Sequence, residues 1–300
     1  MTLFVVASST VTEFEPKLAT QARVLDRRNS EAHRVHAPHQ RFQIWQHLDS
    51  ELRGDGPGTF RVRIENPMAA SQEEADQLIA AAARQGRVLQ VGHLERFNPA
   101  IVAVQEIVSR PLFFEVHRLG VFSPRSLDVD VVYDVMIHDL DILLALAASP
   151  VKDLKSVGIP ILTDKVDIAH ARIEFESGAV ANVTASRVST ERVRKMRFFQ
   201  EHEYVSVDYT RQDALRVRVL STAQEGQQPQ FNFENLPTHP EEPLRAELRE
   251  FLDCVRTRRA PRVDGAAGRR ALELADRVMA GILEHARRVQ LPGALPQADR

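Results

Sequence analysis

A single cysteine, Cys254, occurs in a chain of 300 residues. That excludes an internal disulfide and suits a reducing cytoplasm. Cys254 falls in an apolar helical pattern with Phe251 and Val255, which predicts a buried, inert thiol. No apolar run approaches the ~18 residues needed to span a bilayer. The opening stretch Met1–Thr12 carries Leu3-Phe-Val-Val-Ala7 but no basic leader, so it does not read as a signal peptide. Neither sign of charge prevails. A formal net charge of −2 gives no bulk attraction to nucleic acid or to an anionic membrane. No glycine precedes Gly54, and no internal repeat is present.

What is present reads as an ordinary soluble enzyme: 43% hydrophobic and 27% charged residues, in a length sufficient for two domains with their own cores. From about Ile64 the pattern is α/β. Ser71, followed by Glu74 three residues on, forms a capping-box start for a helix over Glu73–Gln85 that ends at Gly86. Val88–Val91 is a strand, and the helix–turn–strand order belongs to a parallel sheet. Pro99 opens a helix over Ala100–Ser109.

From Pro111 the pattern changes to α+β. Phe113–Val121 is strand-like, and a helix over Asp128–Ala148 follows. Strands are then expected at Val151–Val157, Val166–Glu174, Ala179–Arg187, Lys195–Phe199, Tyr204–Asp208 and Ala214–Val219. Gly178 marks a hairpin between two of them. Such a run implies an open, mostly antiparallel sheet with helices on one face. Thr222–Pro240 reads as a loop, and helices over Glu242–Arg256 and Ala267–Arg288 close the chain.

The sharpest chemical signal is Asp134-Val-Met-Ile-His138-Asp-Leu-Asp141, set among Val131, Val132, Met136, Ile137, Leu140 and Leu143. In an α-helix Asp134, His138 and Asp141 share one face. Carboxylates and an imidazole in an apolar helix are costly unless they are paired or face a wet cleft. A His with a carboxylate one turn away is also a natural acid–base unit. The competing reading is a structural buried pair. His93 and Arg96 follow a strand end, where α/β sites gather. Lys165 lies between Asp164 and Asp167. Arg187, Arg192, Arg194, Lys195 and Arg197 form a basic group that suits a diphosphate or, equally, a solvated strand face. No aromatic platform accompanies it, which argues against nucleic acid. His33, His36, His39 and His47 match no common ligand spacing, and no metal is expected.

Four motifs in order carry a resemblance: Glu65-Asn66-Pro67-Met-Ala; Val91-Gly-His-Leu-Glu-Arg96-Phe-Asn-Pro99; Asp134-x-x-x-His138; and Gly268-Arg-Arg-Ala-Leu-Glu273. Together they resemble the glucose–fructose oxidoreductase / inositol dehydrogenase / MocA-like (Gfo/Idh/MocA) family, over about three quarters of the chain. The runs Asp128–Asp134, Leu162–Ile168, Ala185–Ser189 and Arg194–Arg197 look like its branch that oxidises the 3-hydroxyl of UDP-N-acetylglucosamine.

The resemblance implies a degenerate Rossmann domain over residues 1–110, with 1–62 atypical, and an α+β substrate and dimerisation domain over 111–300. The C-terminal helices would pack back on the first domain. It implies a cytoplasmic NAD- or NADP-dependent oxidoreductase of a sugar or sugar nucleotide, homo-oligomeric through its open sheet. His138, Asp134 and Asn66 would be catalytic. Glu65, Pro67 and His93 would bind cofactor, and Arg96, Asn98, Lys165 and Asp141 would bind substrate.

Two departures stand out. Asn66 occupies the position of the lysine in the family's Glu-Lys-Pro segment. An amide orients a hydroxyl but carries no titrating proton, and loss of such a group costs ~10²–10⁴-fold. Ser8-Ser-Thr-Val-Thr12 also stands where a glycine-rich phosphate loop is expected. A deletion, or a reading-frame slip rejoining the family frame near Ile64, accounts for this start. The alternative function is a catalytically inactive remnant that serves as a ligand-binding or dimerisation module. Asp26 followed by Arg27-Arg28 leaves NAD and NADP both open.

Overall fold

The computed structural model describes residues 3–6, 61–123, 127–221 and 228–290. The chain divides into two compact units, Met1–Gly92 with Glu250–Arg269, and His93–Arg249 with Arg270–Arg300. Most of the atypical start, including its four histidines and Ser8–Thr12, lies outside the described residues.

The first unit holds a parallel sheet in the order β1 (Leu3–Val6), β2 (Arg61–Glu65), β3 (Leu89–Gly92). Parallel neighbours need a crossover, and α1 (Gln72–Arg84) supplies it between β2 and β3. Ser71 caps this helix, its Oγ accepting from the Glu74 N–H, while Glu74 Oε2 accepts from the Ala70 N–H. At the other end the Arg87 N–H reaches the Ala82 carbonyl and the Gly86 N–H reaches that of Ala83. This is the Schellman arrangement, and it places Gly86 at φ 57°. Ala75, Leu78, Ala82, Leu89, Val91, Val263 and Cys254 are buried in this unit. Burial pushes the Cys254 thiol up, with the Glu250 charge adding to it.

The second unit is built on an eight-stranded sheet. Its strands are β4 (Pro111–Leu119), β5 (Val151–Ile159), β6 (Ile168–Phe175), β7 (Val180–Ser186), β8 (Val193–Gln200), β9 (Glu203–Asp208), β10 (Asp213–Ser221) and β11 (Gln230–Asn235). Their spatial order is β11-β10-β9-β8-β4-β7-β6-β5. Only β4 and β7 pair in parallel, and every other pair is antiparallel. Alternation decides which side each residue takes. Phe114, Val116, Ala171, Ile173, Ala181, Val183, Met196 and Phe198 face one continuous core. That core is completed by α2 (Pro99–Gln105), α3 (Ile137–Ala147) and the Ala271–Ile282 portion of α5 (Gly265–Val289). Helix α4 (Pro243–Thr257) precedes α5.

Two expectations are corrected. The loop expected over Thr222–Pro240 contains β11. Its Gln- and Asn-rich composition hides a strand that pairs, among the described residues, with β10 alone and whose Phe231 and Phe233 stay exposed. The helix expected over Asp128–Ala148 begins later. Its first turn, Val132–Met136, is a π-helix in which the Ile137 N–H reaches back to the Val132 carbonyl.

Candidate active site

A π turn over Val132–Met136 leads into the helix that carries His138. Asp134 lies within this π turn and His138 just beyond it, on the helix that continues from it. Asp134 is part-exposed. His138 is the second residue of α3 and is also part-exposed, while its Nδ1 is buried with no hydrogen-bond partner among the described residues. The residue thus keeps some exposure while its Nδ1 is rooted in the core. Burial, then the Arg118 charge, pushes its pKa down to about 3. At neutral pH it is an uncharged imidazole able to accept a proton. Among the carboxylates, the main support for its protonated form comes from Glu95, on the 3-10 turn Leu94–Phe97.

Beneath this ring lies a network of buried charges. Arg118 occupies the inward register of β4, two residues beyond Val116, and is 6% exposed. A guanidinium there is tolerable only if paired. Its Nε donates to Asp139 Oδ2 at 2.7 Å and its Nη2 to Asp139 Oδ1 at 2.8 Å. Its Nη1 donates to Glu95 Oε1 at 2.9 Å. The guanidinium also lies 5.0 Å from the Tyr209 ring centre. Burial works against the Glu95 carboxylate, but the charge and hydrogen bond of Arg118 outweigh it and hold Glu95 below its usual range. Asn98 donates to Glu95 Oε2 at 3.1 Å and to the Tyr209 carbonyl at 3.0 Å. Its Oδ1 accepts from the Ala100 N–H, capping α2. Most of its hydrogen-bonding capacity is therefore spent inside the protein.

A second group adjoins the first. His93 is 1% exposed, and its Nδ1 lies 3.9 Å from Asp141 Oδ2. Its ring meets that of His138 edge-on, with centroids 6.2 Å apart. Arg96 Nη1 donates to Asp141 Oδ1 at 3.5 Å. Burial raises the Asp141 carboxyl to about 7, against the pull of Arg96 and Arg270. Burial and Arg96 push His93 down to about 3.

Of the residues singled out in the sequence, His93, Arg96, Asn98, His138 and Asp141 therefore come together. Lys165 sits in the turn between β5 and β6, its N–H donating to Thr163 Oγ1, and none of its hydrogen bonds or ion pairs reaches this group. That turn is organised by Asp167, whose Oδ2 accepts from the N–H groups of Ile161, Leu162 and Thr163. Glu65 ends β2, and Asn66 and Pro67 follow it in the other unit. The Asn66–Pro67 peptide is cis, and Asn66 Nδ2 is buried without a hydrogen-bond partner among the described residues.

The basic group divides. Arg187 is buried against Asp167 and the Val129 carbonyl, Lys195 and Arg197 pair with Asp208 and Glu115, and Arg194 neighbours Arg118 in register. Among the described residues no group of three or more His, Cys, Asp or Glu is arranged to hold a metal ion.

Glu95, Arg118 and Tyr209 were not singled out from the sequence as site residues. The available signal was Arg118 itself, a charge at the inward register of an otherwise apolar strand.

Comparison with known proteins gives this group a context. UDP-N-acetylglucosamine 3-dehydrogenase of Acidithiobacillus ferrooxidans is 38% identical to the chain over 220 residues, which cover 73% of this chain and 70% of that protein. The chain belongs to the GFO/IDH/MocA family of oxidoreductases. The GFO/IDH/MocA C-terminal domain matches residues 114–205, which span β4 to β9 and include Arg118, His138 and Asp141. The solved structure of UDP-N-acetylglucosamine 3-dehydrogenase GnnA from Acidithiobacillus ferrooxidans is similar with a TM-score of 0.74 and 34% identity. It covers 83% of this chain and 77% of that one. The scyllo-inositol 2-dehydrogenase (NAD(+)) of Bacillus subtilis is 27% identical over 145 residues, 43% of this chain and 42% of that protein. Within this GFO/IDH/MocA chain, a mixed sheet with helices carries the buried charge network.

Proposed function

We propose that the chain is a dehydrogenase that oxidises the 3-hydroxyl of UDP-N-acetylglucosamine with NAD or NADP. The observation that carries this reading is part-exposed His138, its imidazole kept uncharged by burial and rooted on a fixed lattice of charges. An uncharged imidazole has a ring nitrogen free to accept a hydrogen bond from a sugar hydroxyl and to take its proton as the hydride departs. The substrate follows from the relative that is 38% identical.

The parallel β1–β2–β3 sheet is read as what remains of a Rossmann domain within residues 1–110, and residues 111–300 as the substrate domain. Ligands of parallel α/β sheets gather at the carboxyl ends of the strands. Asn66, just past the end of β2, has a buried and unpartnered amide nitrogen, which fits a ligand there. A nicotinamide dinucleotide, once bound, accepts the hydride from carbon 3. Glu65, Asn66 and Pro67 would line its place, Asn66 standing where the family's Glu-Lys-Pro segment has its lysine. His138 takes the hydroxyl proton. Asp134 holds a neighbouring substrate hydroxyl, and Arg96 and Lys165 bind polar groups of the sugar nucleotide. Asn98 acts by positioning Glu95.

We read the open face of the second sheet as the contact between copies of the chain. Phe113, Phe199, Tyr204, Val217 and Phe233 fall in one cross-strand row there, with Phe199 37% and Phe233 68% exposed. Phe199→Glu should lower the oligomeric state measured by light scattering.

The test of function is direct. The protein is incubated with UDP-N-acetylglucosamine and NAD⁺ or NADP⁺, following reduced-nicotinamide fluorescence and the mass of the sugar nucleotide. A product two hydrogens lighter supports the proposal. An unchanged substrate, with no cofactor bound at millimolar concentration, would favour the inactive remnant to which Asn66 points.

A further inference from the structure

We propose that His138, His93 and Asp141 form a proton path, along which the hydroxyl proton passes inward from the catalytic imidazole to a buried carboxylate. This rests on the dehydrogenase reading and goes beyond it, because that reading leaves the proton on His138.

The geometry comes first. His93 neighbours both of the others: its ring is edge-on to His138 at 6.2 Å between ring centres, and its Nδ1 lies 3.9 Å from Asp141 Oδ2. His93 and Asp141 are 1% and 2% exposed. His138 Nδ1, both ring nitrogens of His93 and Asp141 Oδ2 are buried with no hydrogen-bond partner among the described residues. Buried polar atoms are nearly always satisfied, so four orphans on three neighbouring residues call for a role. The gaps are too long for direct hydrogen bonds but within reach of a small side-chain rotation or one bridging water.

The titration of the three groups runs in the same direction as such a path. Burial and Arg118 push the His138 ring down to about 3, and burial and Arg96 do the same to His93. A proton delivered to either ring does not remain there at neutral pH. Asp141, raised to about 7 by burial, holds a proton far better. The charged groups acting on the path are Arg118, Glu95 and Arg194 at His138, Arg96 at His93, and Arg96 with Arg270 at Asp141.

The step balances. The carbon–hydrogen bond at the carbinol breaks with its electron pair leaving as hydride to the nicotinamide dinucleotide, which is reduced. The O–H bond breaks to leave a carbonyl. The proton joins one nitrogen of His138, the other nitrogen passes its proton to His93, and His93 passes one to the Asp141 carboxylate. Both imidazoles end uncharged and Asp141 ends as the acid, to be deprotonated by solvent before the next turnover.

Two measurements test the path. In cofactor-free protein, ¹⁵N resonances of the His138 ring are followed against pH. The path predicts an inflection near neutral pH that reports Asp141. It disappears in Asp141→Asn and shrinks in His93→Gln, with circular dichroism checking that each variant is folded. A His138 ring indifferent to pH across the neutral range overturns the path, whatever the activity.

With UDP-N-acetylglucosamine and cofactor, wild-type kcat should rise through neutral pH. His93→Gln should flatten that limb and lower kcat on the order of 10²-fold while leaving KM within a few-fold. An unaltered pH profile in His93→Gln would also overturn it, since a merely structural role changes stability and not the profile. Absence of turnover in the wild type would sink the dehydrogenase reading and leave the resonance measurement to decide the path.

Discussion

Arg118 and Asp139 are joined by two parallel hydrogen bonds, 2.7 and 2.8 Å long, that tie strand β4 to the residue immediately following His138. The same guanidinium holds Glu95. One side chain thus ties helix α3, the sheet and the turn after β3 together within the second unit. Forked guanidinium–carboxylate pairs of this kind add geometric precision as well as energy.

Removing Arg118 should therefore be severe. Arg118→Leu leaves Glu95 and Asp139 buried without their cation, and breaking a buried pair by deleting one partner costs about 3–5 kcal/mol. Chemical denaturation should show a loss in that range. Arg118→Lys should lose most of it too, because an ammonium cannot reproduce the two-pronged contact.

Acid sensitivity should carry a recognisable sign. His93 and His138 are pushed down from 6.5 to about 3, so the unfolded chain binds their protons before the folded one does. Their stabilisation is full above pH 6.5 and is lost as pH falls toward 3. Asp141, raised from 3.8 to about 7, acts in the opposite sense. Its contribution is full below pH 3.8 and is lost as pH rises toward 7. Stability of wild type minus His138→Gln, measured by urea denaturation, should fall by about 1.4 kcal/mol per pH unit between pH 6 and 4. The corresponding difference for Asp141→Asn should rise on acidification. Parallel curves would contradict both.

Asn66 offers a gain-of-function experiment. Asn66→Lys would supply the titrating group and positive charge that an amide lacks. If cofactor binds, kcat should rise, up to the ~10²-fold at the lower end of acid–base contributions. Equal rates for both forms would remove this position from the chemistry.

Gly268 tests the packing of the first unit. A Cβ there would stand 2.7 Å from Val91 Cγ2 and 2.9 Å from Met68 Sδ, both in buried residues. Overpacking costs about 1–3 kcal/mol, partly offset by the better helix propensity of alanine. Gly268→Ala should lower the thermal midpoint, and Gly268→Leu should lower it further.

Much of this was legible in the residues. Alternation over Ile168–Phe175 and Val180–Ser186 marks strands with one buried face, and Ser71, Glu74 and Gly86 mark both ends of α1. The Asp134–Asp141 segment marked the charged helix. Three things were less accessible. The π turn arises from backbone hydrogen bonding that apolar spacing does not encode. Strand β11 is an exposed edge, where pairing outweighs composition. The partners of Asp139 and Asp141 lie 21 and 45 residues away, and periodicity carries no information about contacts at that range.

The central claim is that part-exposed His138 removes the proton from a sugar hydroxyl. Turnover of UDP-N-acetylglucosamine by His138→Ala, beside wild type under saturating cofactor, tests it most directly. The account predicts a fall in kcat of ~10²–10⁴-fold with substrate affinity changed only modestly. An alanine variant that turns over at the wild-type rate would contradict it.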